Sequence, residues 1–283
     1  MENQIVNKPK FYCSLAVIGF KEKIKEIWGL EEWKGWDDSI QDVLFFGLYN
    51  DQDYEAFWYH SGKKTVFWCG SDILRATEDP EKQRKLRLFP ETEHYCETEV
   101  EAENLHKLGI KPKIIPSFLE DIDRFPISFN PTDKPHIWMC SHPNRDDEYG
   151  ITEAREIAKE FPEFTFHIYG VDAPKDEEII PNVIYHGLVK NEQLNEEIRQ
   201  YQCGFRPNKH DGVSEVVIKS LLLGQYPIAW LPYEGVWQYK DGVELVKLFK
   251  KLKEQKQPNI KGMRIWRKKI NHFPWVEVST LYR

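Results

Sequence analysis

Short apolar runs alternate with stretches of helical periodicity along this chain, the order expected of a mainly parallel sheet flanked by helices. Lys10 to Ile18 reads as a first strand and Asp42 to Tyr49 as a second. The polar Asn50-Asp51-Gln52-Asp53 then leads into a helix over Tyr54 to His60. Lys64 to Cys69 predicts a short buried strand that ends in Gly70-Ser71-Asp72, and Glu78 to Leu88 is charged and solvated. Glu91 to Cys96 predicts a strand, and Glu97 to Leu108 a helix stopped by Gly109. Lys113 to Pro116 is a further strand, leading into Ser117-Phe118-Leu119.

The pattern breaks and then restarts. Asp121 to Lys134, with Pro126, Pro131 and little periodicity, reads as a linker. Beyond it come a strand over Pro135 to Cys140, a polar loop over Ser141 to Gly150, and a helix from about Ile151 to Glu160. Strands over Phe164 to Tyr169 and Asn182 to His186 follow, then a helix over Lys190 to Tyr201 and a short strand over Gln202 to Arg206. Two such βαβ halves in tandem predict an α/β protein of two Rossmann-like domains facing each other across a cleft. The expected divisions are residues 1–131, 132–255 and a closing segment, 256–283.

Composition narrows the classes. With 283 residues the chain exceeds the usual single-domain size. A net charge of -7 argues against a protein whose main task is gripping a nucleic-acid backbone. Cys13, Cys69, Cys96, Cys140 and Cys203 are odd in number and form no CxxC pair, which points to a reducing compartment and no structural zinc. The N-terminus lacks a basic region followed by an apolar stretch, and no segment approaches the length of a membrane span. The expectation is a cytoplasmic protein without a transmembrane segment.

The stretch most suggestive of chemistry runs from Arg206 to Ile228: a polar, glycine-bearing loop, an amphipathic helix, a glycine stop and a buried strand. Gly212 lets the backbone approach a ligand closely, and a helix from about Ser214 to Leu223 aims its N-terminal amides at whatever sits over the loop. Lys209, His210 and Asp211 lie in that loop, so a phosphate-bearing ligand is its natural occupant. The plainer alternative is an ordinary helix start, with Asp211 or Ser214 satisfying backbone donors.

Phe166 to Gly170, then Asn182 to Val189 with Leu194 downstream, then Arg206-Pro207, His210-Asp211-Gly212 and Leu223-Gly224, together resemble the C-terminal half of the GT-B glycosyltransferases, specifically the large retaining family 4. The likeness covers most of residues 135–230 and extends loosely to Val66–Ile73, Glu97–Pro116 and the closing Phe273–Val278. It implies transfer of a sugar from a nucleotide-diphosphate sugar, with retention and without a metal or other cofactor. The acceptor is open: a glycan, lipid, protein or modified nucleobase. Charge developing on the departing diphosphate must then be met by cations and amides. Arg206, Lys209 and the backbone of Gly212, Val213, Ser214 and Glu215 suit that task, and Arg145 adds a second clamp. The resemblance assigns Asp211 to the sugar hydroxyls, and Ser141, Gly187 and Leu188 to phosphate and base.

Two positions depart from the family pattern. A second acidic residue is expected eight positions after Asp211, where Lys219 stands, and a Lys is usual where Tyr149 precedes Gly150. Lys219 cannot accept hydrogen bonds from ribose hydroxyls. It could meet phosphate, pair with Glu215, or mark a lost donor site. A noncatalytic nucleotide- or sugar-binding relative is therefore the alternative function. Asp72 either faces the acceptor side as a catalytic carboxylate or caps the following helix. His94 and His106 lack ligand spacing, and His142 is a loop residue that could touch phosphate. The basic region from Lys247 to Lys269 reads as a solvated helix face, with peripheral contact to a membrane or anionic acceptor as the sharper alternative.

Overall fold

A computed structural model describes residues 8–35, 40–143, 145–174 and 179–276. The chain divides into two units. One holds the described residues through Asp121, the loop His210–Val213 and the residues from Lys269 onward; the other holds Ile122–Lys209 and Ser214–Lys268.

In the first unit the elements run β1 (Lys10–Cys13), α1 (Lys21–Lys23), β2 (Val43–Phe46), α2 (Asp51–Tyr59), β3 (Lys64–Phe67), α3 (Ser71–Glu78), α4 (Pro80–Arg87), β4 (Glu93–Cys96), α5 (Glu99–Lys107) and β5 (Lys113–Ile114). The five strands form a parallel sheet in sequence order. The helices that connect β2 to β3, β3 to β4 and β4 to β5 fall on one face of this sheet. Val43, Phe45 and Val66 accordingly meet Tyr54 and Phe57 of α2, Ile73 of α3, Leu86 of α4 and Leu105 of α5. Alternation turns Leu44, Phe46 and Phe67 to the opposite face. There they meet Ile24 and Trp28 from the connection between β1 and β2, and Phe273, Trp275 and Val276 from the end of the described chain. Asn271 fastens that end: its Oδ1 accepts from Trp28 Nε1 at 3.2 Å and from the Phe118 amide at 2.9 Å. Glu277 and Val278, included in the family likeness, lie outside the described residues.

The expected strand over Lys10–Ile18 is too long. It stops at Cys13, and Leu15–Phe20 form a 3-10 stretch with no buried residue, so the apolar run there is not a sheet face. The helix expected from Tyr54 begins at Asp51, because Asn50 and Asp53 form a reciprocal capping box. The charged stretch after Glu78 is also a helix, α4, started by Asp79 and the proline at its first position.

The second unit contains β6 (His136–Cys140), α6 (Asp146–Tyr149), α7 (Ile151–Glu160), β7 (Thr165–Tyr169), β8 (Val183–Gly187), α8 (Asn191–Glu197), β9 (Cys203–Arg206), α9 (Glu215–Leu222), β10 (Ile228–Ala229), β11 (Trp237–Gln238), α10 (Gly242–Lys253) and α11 (Ile260–Lys269). Its parallel sheet is ordered β11-β10-β9-β6-β7-β8. The winding direction therefore reverses between β6 and β9, which pair through Ile137–Cys203 and Trp138–Gly204. Open parallel sheets bind ligands beyond the carboxyl ends of the strands at such a reversal. A core of Ile137, Phe166, Ile168, Phe205 and Phe249 fixes these strand ends.

Candidate functional site

Two loops leave the reversal point in the second unit, one after β6 and one after β9. Ser141 follows β6, its amide donating to the Tyr169 carbonyl at 2.9 Å. Its Oγ is buried with no hydrogen-bond partner among the described residues. Arg206 ends β9, 9% exposed, with its guanidinium 4.8 Å from the centre of the Tyr149 ring. Arg145 approaches the same ring at 5.6 Å while pairing with Glu148. Beside that ring, Gly150 has φ +67°, and a Cβ there would stand 2.3 Å from Pro207 Cγ. Only glycine allows the two loops to close at this joint.

The rest of the β9 loop is also polar. Asn208 is buried, and its Oδ1 lacks a partner among the described residues. Lys209 holds its ammonium 4.9 Å over the Trp230 ring. Nearby, Glu153 accepts from Tyr239 Oη at 2.9 Å; burial pushes its carboxyl up and the charge of Lys209 opposes that.

Ser214 caps α9 by accepting from the Val216 amide at 3.2 Å, the structural role weighed for it from sequence. Lys219 is 1% exposed; its Nζ lies 3.1 Å from Glu215 Oε2 and donates to Asn191 Oδ1 at 3.1 Å. Of the three roles open to Lys219, pairing with Glu215 is the one observed. The half-buried Cys140 thiol, at the end of β6, is pushed up to about 11 by desolvation, which Lys219 and Arg206 oppose and Glu215 reinforces. These three charged groups therefore converge electrostatically on the strand end. Gly187 closes β8 at φ +65°, and Leu188 behind it is 93% exposed.

The remaining candidates sit in the first unit. Asp72 is fully buried, but the N-cap of α3 is Gly70, which corrects the capping alternative. Its carboxylate instead accepts from the amides of Leu48 at 3.2 Å, Cys69 at 3.0 Å and Ile73 at 3.0 Å, tying together the ends of β2 and β3. Burial pushes Asp72 up to about 7 against the pull of those amides.

Two carboxylates that the sequence reading passed over surround the loop His210–Val213. Glu97 accepts from the Val213 amide at 2.8 Å and from Ser117 N and Oγ at 3.0 and 2.7 Å. Burial raises it to about 7, with Asp211 adding to the rise. Glu101 Oε2 accepts from the amides of Glu97 and Thr98, both at 2.9 Å, while its buried Oε1 has no partner among the described residues. Burial and the Glu97 charge hold Glu101 well above the carboxylate range. A Cβ on Gly212 would stand 2.2 Å from Glu97 Oε2, so a larger residue there would displace that carboxylate. The Val213 amide, expected to face phosphate, is thus donated to Glu97. His210 Nε2 is buried without a partner among the described residues. Thr98 and Glu101 also form the capping box that starts α5, which accounts for part of the bonding of Glu101.

His136, His167 and His186 form a ladder across β6, β7 and β8, with ring nitrogens 2.8 and 2.9 Å apart. Tyr201 Oη approaches His167 Nδ1 at 3.2 Å. Among the described residues no group of three His, Cys, Asp or Glu side chains is arranged to hold a metal ion. No helix there is long and apolar enough to cross a membrane.

Two parallel, helix-flanked sheets, one doubly wound with charged loops at its reversal point, define a Rossmann-like α/β protein of two units. No protein-family model and no curated protein matches the chain in sequence. Solved structures match it in fold. Sucrose-phosphate synthase from Thermosynechococcus elongatus gives a TM-score of 0.62 at 11% identity, over 81% of this chain and 69% of its own. Anabaena Alr3699/HepE, solved in complex with UDP-glucose, gives 0.60 at 13% identity over 84% of this chain and 76% of its own. The lipopolysaccharide outer core galactosyltransferase WaaB, in apo form, gives 0.61 at 12% identity over 92% and 79%. The fold is that of the GT-B glycosyltransferases.

Proposed function

We propose that this chain is a glycosyltransferase of the family 4 kind, which takes a sugar from a nucleoside-diphosphate donor with retention and without a metal. The observation that carries the reading is the pair of guanidinium groups, Arg145 and Arg206, gathered on the Tyr149 ring beside the reversal point of the second sheet. Two cations on one ring suit a ligand with two adjacent negative phosphates. In the transfer, the bond from the anomeric carbon to the diphosphate oxygen breaks and its electron pair leaves with the diphosphate. The acceptor hydroxyl oxygen forms the new bond to the anomeric carbon, and its proton passes to the departing diphosphate oxygen. Arg206 and Arg145 meet the charge that develops on the diphosphate, and Asp211 accepts from sugar hydroxyls. The solved neighbours support a nucleotide-sugar donor, since HepE was crystallised with UDP-glucose and the pneumococcal O-GlcNAc transferase GtfA with UDP and GlcNAc.

The burial of Lys219 against Glu215 favours a second reading, a binding relative that does not turn over its donor. Titration with UDP-glucose, followed by assay for released UDP, separates the two. The transferase predicts binding with slow release of UDP, the binding relative predicts binding alone, and absence of binding across nucleotide sugars contradicts both. A cytoplasmic location, and contact of the basic residues from Lys247 to Lys269 with an anionic surface, belong to the same proposal. Sedimentation with phosphatidylserine vesicles checks the contact.

A further inference from the structure

We infer that Tyr149 is a positioning residue that holds Arg206 for the donor diphosphate, an inference that rests on the transferase reading above. Arg206 ends β9 and Tyr149 ends α6, and the guanidinium carbon lies over the ring at 4.8 Å from its centre. Aromatic faces attract cations through their quadrupole, and the attraction strengthens where water is excluded, as it is around an arginine only 9% exposed. A long side chain tethered in this way loses less freedom when it binds an anion, so the ring pre-orders the cation before the ligand arrives.

Three further features place this contact in a binding region. Gly150, adjoining the ring, packs on Pro207, adjoining the guanidinium, and so fixes the two loops at one joint. Ser141 Oγ and Asn208 Oδ1, in the same two loops, are buried without partners among the described residues. Arg145, paired with Glu148, approaches the same ring at 5.6 Å and so brings a second guanidinium to this joint. Tyr149 stands where the resembled family usually carries a Lys. The positive charge at this end of the sheet is carried instead by Arg206, with the ring as its support.

The test is calorimetric titration of the full chain with UDP and with pyrophosphate. Tyr149→Leu should weaken UDP binding about five- to tenfold, the loss expected of a desolvated cation–ring contact, while Tyr149→Phe stays within about twofold of the natural protein. Pyrophosphate should follow the same order, since the effect concerns the diphosphate. In an Arg206→Ala background, Tyr149→Leu should change nothing further, a coupling that a merely structural ring would not produce. Equal affinity of the Leu and Phe variants, or equal losses with and without Arg206, overturns the inference. Should Tyr149→Leu fail to fold, the Phe variant decides through the hydroxyl: a loss of tenfold or more shows that the ring face is not what matters. Absence of UDP binding by the natural protein overturns the transferase reading together with this inference. Binding that is indifferent to residue 149 overturns this inference alone.

Discussion

Lys219 shows most directly how a single residue sets the character of this site. A buried ammonium needs a partner, and Glu215 one turn earlier on the same helix face supplies it. Lys219→Glu would place two carboxylates at that spacing. Because Glu215 is 34% exposed, the expected loss of stability is about 2 to 4 kcal/mol, somewhat below that for a fully buried pair. The exchanged pair, Glu215→Lys with Lys219→Glu, should recover much of it, and denaturant unfolding measures both. UDP affinity of Lys219→Glu should fall, because a new anion joins a diphosphate site; tighter binding would mean that the natural site lacks a ribose acceptor. Arg206, Lys209 and Asp211 stand out in the sequence because charged residues gather there around a glycine before a helix. Glu97 and Glu101 do not stand out, since the Val213 amide is more than a hundred positions away, Ser117 is twenty away, and the Thr98–Glu101 contacts look like ordinary capping.

At the scale of elements, apolar runs located most strands because alternation in β2 and β3 is buried on both faces. The run from Leu15 to Phe20 misled because apolar residues are not obliged to be inside, and Leu15 is 63% exposed. Strand order was not legible at all, since pairing depends on contacts far apart in sequence. The same is true of the histidine ladder, whose members occupy three strands. His167 is driven down to about 3 by burial and by its neighbours His136 and His186, with Glu197 opposing. The unfolded chain, where histidine titrates near 6.5, therefore binds more protons between about pH 6.5 and 3. The ladder's contribution to stability is complete above that window and drains away as pH falls through it. His167→Phe should flatten this part of the stability profile; an unchanged slope in urea unfolding would show that the ladder does not titrate as described.

For the whole molecule, the first unit works in the opposite direction. Asp72 and Glu97 are raised to about 7 and Glu101 is raised as well, so the folded chain binds more protons than the unfolded one above about pH 4. Their contribution is present at low pH and is lost as pH rises through about 7. Glu101→Gln, which keeps the shape and removes the charge, should raise the melting temperature at pH 8 and leave it nearly unchanged at pH 4.5. A fall at pH 8 would contradict a carboxyl whose charged form is disfavoured by burial. Stability should accordingly vary little with pH across the range where the two sets of groups offset each other.

Binding of a nucleotide sugar is the property that joins the fold and the arginine pair into one account. Thermal unfolding of the natural protein and of Arg206→Ala, across a panel of nucleoside-diphosphate sugars that includes UDP-glucose, tests it most directly. A ligand at about a hundred times its dissociation constant stabilises by about 2.7 kcal/mol, a clear shift in midpoint. At least one member of the panel should raise the midpoint of the natural protein, and Arg206→Ala should lose most of that rise while melting at nearly the same temperature unliganded. No shift with any donor, or a shift that survives unchanged in Arg206→Ala, would contradict the account.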